Sequence, residues 1–162
     1  MTHPSAYHQL GRFIVMFQHL EGAINELIYL ITDISDDPAI TNLNLTRRID
    51  ATDRLFSEFV AAKAASEQHA KLEFHGLMTD LKALADRRNV LVHSRYARWV
   101  NLEGREGLLR SSTRIDGGKR TNGEEEELQP EAFDSDIERL SIAAKRLERF
   151  RLKIIDWSYP EE

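Results

Sequence analysis

The segment Asp86-Arg87-Arg88-Asn89-Val90-Leu91-Val92-His93 places an imidazole, a carboxamide and two guanidinium groups within eight residues. An imidazole titrates near neutrality, so it can take a proton from a ribose 2′-hydroxyl or return one to a leaving 5′-oxygen. A guanidinium holds a phosphate through paired hydrogen bonds and stabilises the charge that develops on it. Together such groups would cleave RNA by internal attack of the 2′-hydroxyl, a reaction that needs no metal.

The segment reads as the late part of a helix. Asn89 and His93 are then one turn apart and nearly aligned, so Asn89 is placed to orient the ring or the ligand. Arg88 and His93 instead point about 140° apart, separated by roughly 7.5 Å of helix rise. One straight helix does not bring both onto one small ligand. Two chains around a two-fold axis would, by setting each Arg88 and His93 near its mate and building one cleft from both copies. The alternative is structural: Arg88 pairs with a carboxylate such as Asp86 or Glu21, and His93 is a buried or capping histidine.

Arg87, Arg95 and Arg98 are candidates for binding RNA phosphates, with Tyr96 and Trp99 beside them for stacking; the other reading is that these residues cover a helix-bundle end, with Arg87 in a surface pair with Asp86. From Asp86 to Arg120 there are nine basic and four acidic side chains, an excess of +5 that leaves −10 for the rest of a chain of net charge −5. Such asymmetry can focus an anion toward one region, while the overall acidity excludes a general duplex-DNA binder.

Other chemistries are set aside. The chain has no cysteine, which removes disulfides, thiolate metal sites and cysteine nucleophiles. The remaining histidines (3, 8, 19, 69 and 75) lack the paired one-turn spacing of a zinc site, and phosphate-loop and dinucleotide glycine patterns are absent. No metal and no cofactor is expected. The longest apolar run, Phe13 to Phe17, is far below the ~20 residues of a membrane span, and Met1-Thr2-His3-Pro4 lacks the features of a secretory signal. A cytoplasmic protein without membrane association is expected. In that setting Asn44-Leu45-Thr46 carries no meaning as a glycosylation acceptor.

The elements that must position the segment follow from hydrophobic spacing. Leu10, Phe13, Phe17, Leu20, Ile24, Leu27, Ile31 and Ile34 recur at three- and four-residue steps, which predicts a helix from about Ser5 to Ile34, stopped by Asp36-Asp37-Pro38. A second helix is expected from about Thr46 to Ala65, with Ile49, Leu55, Phe56, Phe59 and Val60 inward. A third is expected from about Ser66 to Arg98, burying Leu72, Leu77, Leu81, Leu84 and Leu91, with Gly76 marking a close helix contact. The last opens at Ser135-Asp136-Ile137-Glu138, with capping-box spacing, and runs to Trp157. Between the last two, residues 99–130 read as an insert: a short hairpin over 99–115, turns at Gly117-Gly118 and Asn122-Gly123, and a Glu124–Glu127 run that is either solvated or faces a partner. The expectation is an all-α, up-and-down four-helix bundle forming one domain over 1–162, with a hairpin-like insert between the third and fourth long helices.

Arg88-Asn89-x-x-x-His93 resembles the R-(polar)-x-x-x-H signature of HEPN domains, which that family carries late in a helix. Leu20-Glu21-x-x-Ile24-Asn25-x-Leu27-Ile28 is similar to the leading helix of several HEPN groups, and the helix count agrees; residues 99–130 have no counterpart. The resemblance implies a helical bundle, a homodimer with the motif at its interface, and a metal-independent endoribonuclease with Arg88 and His93 catalytic and Asn89 supporting. It further implies bacterial toxin or phage-defence roles, with an antitoxin as a possible protein partner. Other members of the family are inactive nucleotide- or protein-binding modules, and a non-catalytic interaction module is the competing expectation here.

Overall fold

The computed structural model describes residues 4–33, 38–116 and 118–160, with 114–116 and 119–122 described by backbone alone. The elements are α1 (Ala6–Thr32), α2 (Pro38–Thr41), α3 (Leu45–Lys63), α4 (His69–Val92), β1 (Arg95–Val100), β2 (Glu106–Asp116), β3 (Lys119–Leu128), a 3-10 turn (Pro130–Phe133) and α5 (Asp134–Ser158). They form two compact units, one of residues 1–17 with 86–140 and one of 18–85 with 141–162. Among the described residues no helix is long and apolar enough to cross a membrane.

The unit of residues 18–85 and 141–162 is helical, and its core follows the 3.6-residue period. Leu20, Ile24, Leu27 and Ile28 of α1, Ile49, Phe56, Phe59 and Val60 of α3, Phe74, Leu77, Met78, Leu81 and Leu84 of α4, and Leu147, Phe150 and Ile154 of α5 are all buried. Phe56 stacks on Phe74 with ring centroids 3.9 Å apart, and Phe150 meets both edge-on at 5.3 and 5.0 Å. This mixture of stacked and T-shaped pairs suits the ring quadrupoles. α1 ends at Thr32, where Asp33 adopts φ +55° and its amide donates to the Tyr29 carbonyl; aspartate is one of the few residues that tolerates this left-handed cap. The expected continuation to Ile34 and the stop at Asp36-Asp37 lie outside the described residues. Asn44 is the N-cap of α3, its Oδ1 accepting the Arg47 N–H at 3.0 Å.

Three expectations for the third helix fail. α4 ends at Val92 rather than Arg98, and Leu72 is 79% exposed. Leu72 lies two residues, about 200°, from Phe74, so a helix that buries Phe74, Leu77, Met78 and Leu81 must turn Leu72 to water. Nor does Gly76 mark a close helix contact: a Cβ there would meet only the Arg146 guanidinium, at an ordinary 3.8 Å.

The unit of residues 1–17 and 86–140 overturns the all-α expectation. The protein is mostly helical but contains a three-stranded antiparallel sheet, in the order β1-β2-β3, and is therefore α+β. Arg95 to Val100, expected to finish a helix, pairs with Ser111 to Glu106. The sheet also takes in Asn122-Gly123, expected to be a turn, and the charge run, while the expected Gly117-Gly118 turn falls between β2 and β3, with Gly117 outside the described residues. Leu108 opposes Leu128, and Arg110 opposes Glu126. Leu108 and Leu128 are fully buried beneath this face, as is Phe133 in the 3-10 turn. The β1–β2 connection is built on Asn101, whose Oδ1 accepts the amides of Glu103 and Arg105 at 3.1 and 2.8 Å, with Gly104 at φ +78°. Asn122-Gly123, read as a turn, lies within β3 beside a register shift at Ser111/Thr113. There a Cβ on Gly123 would sit 2.8 Å from the Ser112 carbonyl oxygen, so glycine is required by the close strand approach. α5 begins at Asp134, straight out of the 3-10 turn, which leaves Ser135 inside the first turn rather than capping it.

Replacing Phe56 with alanine removes the ring on which the aromatic cluster is built. The expected cost is about 3–5 kcal/mol in urea unfolding with the m-value unchanged; a loss below ~1 kcal/mol would show that the cluster does not hold this unit together.

Candidate functional site

The segment from Arg87 to Val92 occupies the last turns of α4, with His93 directly after it, and the sheet determines how it is held. Arg87 donates from Nη1 and Nη2 to the two carboxylate oxygens of Glu126, both at 3.1 Å, and from Nε to Asp136 Oδ2 at 2.9 Å. Arg110, with a side chain only 4% exposed, donates from Nε to Glu126 Oε2 at 2.7 Å. Its Nη1 donates to Ser94 Oγ at 3.0 Å, and Ser94 Oγ donates in turn to the Val90 carbonyl at 2.6 Å. The Tyr96 hydroxyl donates to the Leu91 carbonyl at 2.6 Å. Two carbonyls at the end of α4, which have no partner within the helix, are thus held by side chains that the sheet presents. Tyr96, Arg110 and Glu126 sit opposite one another on three successive strands, so they share one face.

The electrostatics follow from this geometry. Burial pushes the Glu126 carboxyl up, but the hydrogen bonds and charges of Arg87 and Arg110 outweigh it and hold Glu126 below the ordinary glutamate range. Burial works against the Arg87 charge, yet the bonds from Glu126 and Asp136 raise its pKa. Burial also raises the Tyr96 hydroxyl, against the opposing charges of Arg110 and Arg87. Tyr96 therefore remains a donor to the helix end.

His93 lies one residue beyond α4. Its backbone amide donates to the Asn89 carbonyl at 3.0 Å, and its side chain is exposed, with no protein hydrogen bond among the described residues. Its position is that of the C-cap, but its side chain is neither buried nor bonded to the helix end. Arg88 donates from Nη1 to Asn89 Oδ1 at 3.1 Å, and its guanidinium carbon stands 5.9 Å from the centroid of the Phe17 ring. The carboxamide expected to orient His93 thus serves Arg88 instead. Arg88 forms no ion pair among the described residues, with Asp86 or any other carboxylate.

The remaining candidates separate by strand geometry. Arg95 and Trp99 lie on one face of β1, Tyr96 and Arg98 on the other. Arg98 pairs with Glu106, and Arg105 with Glu131. Of the six arginines with described side chains between Asp86 and Arg120, four are therefore in ion pairs, and only Arg88 and Arg95 are not. Most of the arginines described in this stretch are thus matched internally. Spacing did not reveal Arg110, Glu126, Asp136 and Ser94; the one signal for them was the suitability of an isolated arginine and glutamate to face each other across strands. Among the described residues no group of three or more His, Asp or Glu side chains is disposed to hold a metal ion.

Glu126→Gln would leave Arg87 with Asp136 alone and Arg110 with only the exposed Glu124, 3.9 Å from its Nη2. The expected loss is about 2–3 kcal/mol, less than the ~3–5 of a fully buried pair because part of Glu126 remains in water. The folded pKa of Glu126 is depressed, so its contribution is complete above the ordinary glutamate range and fades as pH falls through that range toward the folded value. Wild-type stability should therefore decline on acidification more steeply than that of E126Q, and parallel unfolding curves for the two proteins from neutral to acid pH would contradict this assignment. No family model, no curated protein and no solved structure matches the chain.

Proposed function

We propose that the His93 end of α4 is the active site of a metal-independent endoribonuclease of the HEPN kind. The observation that carries this reading is the division of charge: among the described residues the ring of His93 is exposed and unpartnered, and the two arginines nearest it in sequence that lack an ion pair, Arg88 and Arg95, flank it. Arginines that serve the fold are matched with carboxylates, whereas a phosphate-binding arginine must have its donors free for the ligand.

In the reaction His93 takes the proton of a ribose 2′-hydroxyl as that oxygen attacks the adjacent phosphorus. The bond to the 5′-oxygen breaks, the leaving oxygen is protonated, and the products carry a 2′,3′-cyclic phosphate and a 5′-hydroxyl. Arg88, steadied by Asn89, holds the non-bridging oxygens as charge builds on them, and Arg95 supports the neighbouring phosphate. One chain offers a single such imidazole, so a homodimer supplies the second, one ring acting as base and the other as acid. Val90 and Val92, exposed at 41% and 43% and about 200° apart round the helix, put apolar surface on two sides of that end for such an interface. The same valines also favour the second reading, a non-catalytic module that docks a protein partner there. Under the catalytic reading the protein is a cytoplasmic RNA-cleaving toxin or defence effector, restrained by an antitoxin-like protein.

Incubation with single-stranded RNA in EDTA should yield cyclic-phosphate ends, with H93A slower by at least about 100-fold and R88A by a comparable factor, and light scattering should give the mass of a dimer. Cleavage by H93A at the wild-type rate would reject the site. An inactive protein that still binds a partner through Val90 and Val92 would establish the module instead.

A further inference from the structure

A second group of cations lies wholly within the unit of residues 18–85 and 141–162. Between Ser141 and Ser158, α5 carries five basic and two acidic side chains in a chain of net charge −5. Arg146, Arg149 and Lys153 follow at three- and four-residue steps, so they share one helical face. With Glu73 of α4 and Phe150, they line a cavity of about 330 Å³, within the range of small-molecule sites.

The three cations are held differently. Arg146 is anchored: Nη1 donates to Asp80 Oδ2 at 2.7 Å and Nη2 to the Glu73 carbonyl at 3.3 Å. Gly76 leaves the space beside that guanidinium open. Lys153 Nζ stands 5.5 Å from the centroid of the Phe150 ring, a contact that satisfies none of its N–H donors. Arg149 is exposed and has neither an ion pair nor a hydrogen bond among the described residues. On another side of the same helix, Arg151 is paired with both Glu148 and Glu26. Carboxylates are thus supplied to Arg151 and not to Arg149 or Lys153.

We propose that this cleft binds a small ligand carrying two or more linked phosphate groups. Arg146 supplies a guanidinium fixed in advance by Asp80, Arg149 a second forked donor, and Lys153 a mobile point charge. From Arg146 to Lys153 the helix rises about 10 Å. A single phosphate does not span that distance, whereas a chain of phosphates engages all three cations. Glu73 opposes the ligand's charge and limits its affinity. The site is independent of the His93 chemistry and does not rest on it.

The test is calorimetric titration of the intact protein, at low salt, with inorganic tripolyphosphate and separately with a nucleoside triphosphate. Both should bind; equal affinities identify the phosphate chain as the whole ligand, and tighter nucleotide binding adds contacts to base or ribose. R149A/K153A should weaken binding by about tenfold or more. Because these two side chains hold no ion pair among the described residues, and only the Lys153–Phe150 contact is lost, the melting temperature should fall by no more than about 3 °C. E73Q should tighten binding, and H93A should leave it as in wild type. Absence of binding by both probes, or binding indifferent to R149A/K153A, overturns the proposal.

Discussion

Arg110 is a charged side chain with almost no access to water, and in the unit that carries the candidate site its neighbours are arranged to make that burial tolerable. A guanidinium removed from water costs several kcal/mol unless carboxylate and hydrogen-bond partners replace the solvent. Glu126 provides the carboxylate from the facing strand, Ser94 accepts from Nη1, and Glu124 lies 3.9 Å from Nη2. Arg87 then occupies the second side of Glu126, and Asp136 balances Arg87. Two guanidinium groups and two carboxylates thus form a neutral cluster, and its members come from α4, β2, β3 and α5. Removing any one strands a charge, which makes the cluster a strong constraint on the register of the sheet and on where α4 must end.

That constraint links the fold to the chemistry proposed at His93. Ser94 and Tyr96 flank the histidine and bond back to carbonyls of the last helical turn, and Ser94 is itself held by Arg110. The backbone on both sides of His93 is therefore fixed, while its side chain points to solvent. Catalytic groups need this combination, with a rigid support and a free reactive atom. The adjacent arginines divide the work in the same way: Arg87 is spent on the cluster, and its neighbour Arg88, about 100° further round the helix, is left with a carboxamide and an aromatic face.

The sheet shows why charged residues can conceal structure. A half-buried strand is recognised by alternating apolar and polar residues, but the inward positions of β2 and β3 hold Arg110 and Glu126 as well as Leu108 and Leu128. In sequence these look like surface residues, and Glu124 to Glu127 looks like a solvated run. Once the strands pair, Glu126 turns inward to two arginines while Glu125 and Glu127 face outward. An alternation built from ion pairs has no hydrophobic signature, because each partner's burial depends on another residue sixteen positions away.

What the sequence determined by itself is local. The four long helices, most of the apolar stripe of α1, the burial of Ile49, Phe56, Phe59 and Val60 in α3 (though not of Leu55) and the position of Arg88 late in a helix all follow from contacts within a few residues, which the 3.6-residue period records. The hairpin after Trp99 was visible too, through Gly104 and Gly107 between its strands. Tertiary structure decided the rest: the end of α4 at Val92, the third strand, the choice of Arg87 rather than Arg88 as the structural arginine, and the exposure of His93. Each depends on which charges meet across strands and helices, and electrostatic pairing at that range leaves no periodic trace in the chain. The Arg88–His93 segment was therefore legible as a set of reactive groups. Which of them remain free to react was settled only when Glu126 and Asp136 came into place beside them.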